Sequence, residues 1–183
     1  MASATKLNGT LRQFIARQPL FFVATAAREG RVNMSPKGMD TLRILDDSRV
    51  AWLNLSGSGN ETAAHLLDSA RMTLMFCAFD GEAMILRVYG AAKAIHPRDP
   101  QWPAAVAAFP QIAGSRQIFA LDIDLVQTSC GTGVPLMTFA ASRAETELVP
   151  FYAEMGEQGV RDYWARKNVL SIDGSPTGIF EDV

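Results

Sequence analysis

Apolar runs of strand length recur along this chain, separated by short clusters of Gly, Asp, Ser and Asn. Leu20 to Ala27 is an apolar run of strand length. Arg28-Glu29-Gly30-Arg31 reads as a turn, and Val32 to Ser35 as the returning arm of a hairpin. Leu42 to Leu45 and Arg49 to Leu55 form a second hairpin around Asp46-Asp47-Ser48. Met72 to Phe79 and Ala83 to Ile95 are strands joined across Asp80-Gly81. Gln117 to Ser129 sets Ile118, Ala120, Asp122 and Asp124 on one face against Phe119, Leu121, Ile123 and Leu125 on the other, the pattern of a half-buried strand. Helical periodicity is confined to the margins of these runs. Leu7 to Gln18 carries Leu11, Phe14 and Ile15 on one face and stops at Pro19. A helix from about Glu61 to Ala70 turns Leu66 and Leu67 inward, and Pro97 to Pro110 holds a short Ala-rich helix. Glu145 to Lys167 is helical, with interruptions at Pro150, Gly156 and Gly159, and the tail from Asn168 to Val183 is turn-rich.

About six strands joined by tight turns, with few helices, predict a mainly β fold with peripheral helices, built on an antiparallel sheet that closes or curls. The glycine-rich segment near Gly57 follows a hairpin and opens no regular strand–helix alternation, which disfavours a Rossmann layout. No internal repeat, low-complexity segment or linker interrupts the pattern. The expectation is one domain over 1–183, with an N-terminal helix at 7–18 and a C-terminal helix and tail at 145–183.

Composition narrows the function classes. At 183 residues the chain can bury a real core, and 48% apolar residues is ordinary for a globular protein. The formal charge of −2 leaves no basic footprint for nucleic acid. No apolar run approaches the roughly 20 residues that span a bilayer, and Met1 to Thr10 lacks the layout of a signal peptide. Cys77 and Cys130 fit neither a metal site nor a disulfide framework, and His65 and His96 suggest no ligand pair. A reduced, cytoplasmic protein with no metal, no nucleic acid and no membrane partner is expected.

The candidate chemistry lies in two donor-rich segments. Val32-Asn33-Met34-Ser35-Pro36-Lys37-Gly38 is a strand ending in a lysine, with Asn33 and Ser35 on one face. Ser56-Gly57-Ser58-Gly59-Asn60-Glu61-Thr62 opens a helix whose first N–H groups lack intrahelical partners. A phosphate held between the two is one reading. A capping box of Ser58 and Glu61 is the other, and it satisfies those N–H groups internally. Lys37 alone also reads as a solvated strand-end lysine. Arg87, in an apolar strand, needs a ligand phosphate, a carboxylate such as Asp122, or exposure on the outer face of a barrel. Ser129-Cys130-Gly131 ends the last strand as a turn, and no basic neighbour activates Cys130.

Taken together, Phe21 to Ala27, Val32 to Gly38, Val50 to Asn54, Gly59-Asn60-Glu61-Thr62 with His65-Leu66, Ala70 to Phe76, and Ile85 to Ala91 resemble the FMN-binding split barrel of the pyridoxamine 5′-phosphate oxidase-like superfamily. The likeness covers about residues 11 to 96. Gln127 to Gly131 and Lys167 to Gly178 also look like a bacterial branch described as oxidase-related. The resemblance implies a homodimer with FMN in a groove between subunits. It implies a cofactor-binding set of Val32, Asn33, Met34, Ser35, Lys37, Asn54, Asn60, Thr62, Arg87, Ser129 and Cys130, the last two reaching the flavin of the partner. Lys37 and the turn from Asn60 to Thr62 approach the phosphate in this scheme. Two departures separate the chain from true pyridoxamine phosphate oxidases. Glu61 and Thr62 stand where those enzymes carry a basic pair, and no Trp-then-Arg pattern closes the C-terminal region.

The expected function is therefore an FMN-dependent oxidoreductase, acting on a small-molecule substrate or electron donor and unsuited to pyridoxal phosphate synthesis. The flavin carries the redox chemistry, which accounts for the lack of an acid–base pair or triad in the sequence. The alternatives are a non-catalytic flavin store or redox sensor, and a haem-handling or deazaflavin-dependent relative on the same barrel. An oligonucleotide-binding barrel is disfavoured because aromatics do not cluster on basic strands.

Overall fold

The computed structural model describes residues 2–180, so the last three residues of the expected tail, 181–183, lie outside it. The strands are β1 (Ala2–Ala4), β2 (Leu20–Thr25), β3 (Asn33–Gly38), β4 (Leu42–Asp46), β5 (Arg49–Leu55), β6 (Arg71–Cys77), β7 (Ile85–Ile95) and β8 (Ser115–Ser129). The α-helices are α1 (Gly9–Arg17), α2 (Glu61–Asp68), α3 (Trp102–Val106) and α4 (Val149–Lys167), and a π-helical turn over Ala144–Leu148 leads into α4. All strand pairings are antiparallel, in the order β3-β2-β6-β7-β8-β5-β4, with β1 added beside β8. Eight strands stand where about six were expected. β1 has three exposed residues and is held by backbone pairing to Val126–Thr128, so it shows no alternation to read.

The sheet curls until its first edge meets the far side. Lys37 on edge strand β3 reaches Asn54 on β5, with Nζ to Oδ1 at 3.4 Å. Leu53 N–H bonds Thr41 O at 2.8 Å, extending the β4–β5 pairing into the turn that leaves β3. The main core fills the concave face. It stacks Phe21 on Phe76 with centroids 5.8 Å apart and Trp52 on Phe119 at 4.8 Å. α1 closes one side with Phe14 and Ile15, the residues its period selects. Its N-terminus is capped by Asn8, whose Oδ1 accepts from Leu11 N at 2.9 Å.

Three local expectations are corrected. β3 begins at Asn33 and runs through Pro36 to Gly38, which β3 tolerates because it pairs only with β2. In β8 the register shifts opposite Tyr89 and Gly90, so Asp124 is an extra residue. The bulge flips the strand: Phe119 and Leu121 are buried before it, but Val126 is buried after it and Leu125 is 38% exposed. Ile118 is also buried, against Phe109 in a second cluster with residues of α3. On α2, Leu66 packs on the core but Leu67 is 66% exposed, because the short helix buries the face from Thr62 to His65. α4 absorbs Pro150 in its first turn and kinks at Gly156, where φ is +68°.

The bulge requires Gly90. A Cβ there would lie 1.9 Å from the Asp122 carbonyl oxygen. Gly90→Ala is therefore expected to lower stability by about 1–3 kcal/mol. Urea unfolding checks this against Gly133→Ala, where a Cβ meets nothing within 4 Å.

Candidate functional site

Alternation along β3 points Asn33, Ser35 and Lys37 to the concave side of the sheet, beyond the end of the apolar core. Opposite them β5 ends at Leu55 and the chain turns through residues 56–60 into α2. Between these walls lies a cavity of about 390 Å³. Asn33, Ser35, Lys37, Asn54, Asn60 and Thr62 all line it, so the structure brings together six of the residues singled out in sequence. Asn33 Nδ2 donates to Thr62 Oγ1 at 3.3 Å, and Ser35 Oγ donates to Asn33 Oδ1 at 3.2 Å. These bonds tie the strand to the helix start.

The capping box does not form. Asn60 occupies the N-cap position, Glu61 follows it, and no side chain caps the helix. The side chain of Asn60 accepts from Gln117 Nε2 at 2.9 Å and donates to Asn168 O at 3.4 Å. Glu61 turns its carboxylate to the Ile172 N–H, at 3.0 and 3.2 Å. The first turn of α2 thus faces the cavity without a side-chain cap, where its dipole favours an anion.

Sequence reasoning missed Arg116. It sits on β8, is 3% exposed, and lines the same cavity. Its Nη1 donates to Gly59 O at 3.0 Å, while its buried Nε has no hydrogen-bond partner. No ion pair with a carboxylate is found for Arg116 or Lys37 among the described residues. A lone arginine far along the chain from Gly59 carries no local signal. Only the pairing of β8 with β5, with Leu55 beside Ser115 across a bulge, delivers it here.

Burial, and next to it the charge of Arg116, pushes the Lys37 ammonium down to about 8. Burial likewise lowers Arg116 to about 10. The Lys37 stem lies over Trp52, with Nζ 5.3 Å from the ring centroid. Two buried cations with no carboxylate partner among the described residues form an arrangement that an anion would satisfy.

The other sequence candidates fall elsewhere. Val32 and Met34 are 72% and 63% exposed and do not line this cavity, because successive side chains of a strand alternate faces. Arg87 is half-buried and donates from Nη1 to Ser129 Oγ at 3.3 Å, on neighbouring strands β7 and β8 away from the cavity. Asp122 is not its partner. Cys130 is exposed, and hydrogen bonds from Thr132, the backbone one first, hold its thiol below the usual range. Within one chain these five residues are separate from the cavity.

The family model for pyridoxamine 5′-phosphate oxidase matches residues 7–130. The chain belongs to the pyridoxamine 5′-phosphate oxidase family. The pyridoxamine 5′-phosphate oxidase family protein ustO of Aspergillus flavus is 35% identical over 186 residues, covering 93% of this chain and 75% of ustO. Among solved structures, HupZ of Group A Streptococcus aligns with a TM-score of 0.55 at 16% identity, over 72% of this chain and 99% of HupZ. A pyridoxamine 5′-phosphate oxidase-related, FMN-binding protein of Nostoc punctiforme aligns with a TM-score of 0.52 at 15% identity, over 70% of this chain and 85% of that one. These structural likenesses bear on the fold, and the curled sheet is the split barrel of the family. Among the described residues no helix is long and apolar enough to cross a membrane.

The depressed Lys37 value has a thermodynamic sign. Below pH 8 both folded and unfolded chains carry the charge, and the fold bears the full cost of burying it. Between about 8 and the ordinary 10.5 the unfolded chain binds more protons, so stability rises with pH. Lys37→Met is therefore expected to stabilise the ligand-free protein at pH 7, by at most about 3 kcal/mol. The gain should shrink as pH passes from 8 toward 10.5. Denaturant titrations of both proteins across that range check the sign.

Proposed function

We propose that the chain is an FMN-dependent oxidoreductase whose flavin phosphate is held at this cavity. One observation carries the reading: Lys37 and Arg116, without carboxylate partners, share a cavity with the uncapped start of α2. A phosphate satisfies all three at once, pairing two cations, engaging the orphan Nε and meeting the helix N-terminus. The Nostoc relative named as FMN-binding supports the same cofactor. When bound, the flavin supplies the redox chemistry toward a small-molecule substrate or electron donor. The protein's part is to bind and orient. Lys37 and Arg116 neutralise the dianion, and Thr62, Ser35 and Asn33 offer hydroxyl and amide groups beside it.

The reading does not extend to pyridoxamine 5′-phosphate as substrate. A second phosphate needs further cations. Residues 171–178 carry none, and Arg87 is turned to Ser129. The free thiols of Cys77 and Cys130 suit the cytoplasm.

We also read the protein as a homodimer. Val32, Met34 and Leu125 leave apolar surface on the outer face of the sheet, and that face also carries Arg87 and Ser129. A second copy over it buries the patch. Light scattering is expected to give about twice the 19.9 kDa chain mass. A monomer that binds FMN tightly contradicts the dimer.

For the cofactor, FMN is expected to bind with quenched fluorescence and more tightly than riboflavin. Lys37→Ala and Arg116→Ala should each weaken FMN by about 1.5–3 kcal/mol, the scale of a hydrogen bond to a charged group. Riboflavin affinity should change much less. Equal affinity of the unaltered protein for the two flavins refutes the phosphate assignment.

A further inference from the structure

The loop at 56–60 contains Gly57 and Gly59 and has no regular structure of its own, so it begins with more conformational freedom than its neighbours. An anion cradle built partly from backbone N–H groups works only if those groups are already oriented. The loop is held on one side by residues 114–117 at the start of β8 and on the other by a distant stretch beyond residue 160. Trp164 Nε1 donates to Ser56 Oγ at 2.7 Å, and Ser56 Oγ passes a hydrogen bond to Gly114 O at 2.7 Å. Asn168 Nδ2 donates to Gly57 O at 2.9 Å. The Asn168 carbonyl accepts from Asn60 Nδ2 and from Thr177 Oγ1. Ile172 N–H holds the Glu61 carboxylate. Asn168 is wholly buried and Thr177 is 1% exposed, so the bonds of Trp164 to Ser56 and of the Asn168 carbonyl are shielded from water, while the Ile172–Glu61 bond lies at the surface.

We infer that the end of α4 and the tail behind it form the positioning scaffold of the anion-binding loop, with Trp164 and Asn168 as its positioning residues. Neither residue lines the cavity; both act through the loop. Peptide planarity gives the bonds a consequence. Fixing the Gly57 carbonyl on Asn168 turns the Ser58 N–H of the same peptide the opposite way. Fixing the Gly59 carbonyl on Arg116 does the same for the Asn60 N–H. The Ile172 N–H does a second job. It anchors the one carboxylate that lines the cavity, so that Glu61 is not free to neutralise Lys37 or Arg116. The scaffold lies beyond residue 130, where the match to the family model ends.

The ligand in this scheme rests on the flavin-phosphate reading; the scaffold itself does not. Trp164→Phe keeps the ring in its apolar cluster with Tyr152 and Val160 and removes only the N–H donor. Val160→Ala loosens the same cluster without a polar contact to the loop. Hydrogen exchange of amides 57–62 should be about tenfold faster in Trp164→Phe than in Val160→Ala at matched stability, the scale of one hydrogen bond. The preference for FMN over riboflavin should fall about tenfold in Trp164→Phe alone, with riboflavin affinity unchanged. Asn168→Ala should shift both in the same direction if it folds. Exchange that is the same in Trp164→Phe and Val160→Ala overturns the scaffold. If the unaltered protein shows no preference for FMN, the flavin-phosphate reading fails, and the exchange comparison decides the scaffold by itself.

Discussion

The register of β8 is the constraint on which the site depends. β8 pairs with β7 from Ile95↔Ile118 to Ile85↔Ser129, and on its other side with β5 from Arg49↔Asp122 to Leu55↔Ser115. Antiparallel pairing over that length leaves little freedom to slip, because a shift of one residue would send Phe119 and Leu121 to the wrong face. The bulge at Asp124 then lets one strand serve two faces in turn. Arg116 and Gln117 are carried by the same register to the loop before α2, so a strand that builds the core also furnishes one wall of the cavity.

At that wall the structure accepts an unfavourable arrangement. Lys37 and Arg116 are desolvated, repel one another and find no carboxylate. A sequence selected only for folding would place apolar residues or a salt-bridged pair there. Such a cost is the usual relation between a binding site and the stability of its empty form, and in the proposed reading an anion restores the balance. The carboxylate of Glu61 is nearby, yet it is held on the Ile172 N–H. Two separate features of the fold thus leave the positive charge uncompensated.

The family match ends at residue 130, but the organisation of the site does not. α4 and the tail reach back over the loop at 56–60, and Arg98 ties the tail down by donating to the carbonyls of Gly178 and Ile179 at 2.6 and 2.8 Å. Departures from the oxidase pattern at Glu61 and Thr62 are understandable in this setting. A cation delivered by β8 stands by a helix start that carries no basic pair of its own.

Much of this was legible in the sequence. Apolar runs of strand length and, in Gln117 to Ser129, alternation with period two marked the longer strands, turn residues marked their connections, and the two donor-rich segments marked both walls of the cavity. Those signals are local: the pleat, the turn and the helix start each depend on a few adjacent residues. Period two also puts Val32 and Met34 on the strand face opposite Asn33 and Ser35, where they lie, so only the resemblance places them beside a cofactor. The capping-box reading puts the N-cap at Ser58, two residues before the observed Asn60, a shift that decides whether the N–H groups of α2 are capped or open. The place of Arg116, the seating of Glu61 on Ile172 and the clamp of Trp164 on Ser56 could not be read at all. Each joins residues more than 50 positions apart, and their meeting follows from strand register and packing, to which no single stretch of sequence is a witness.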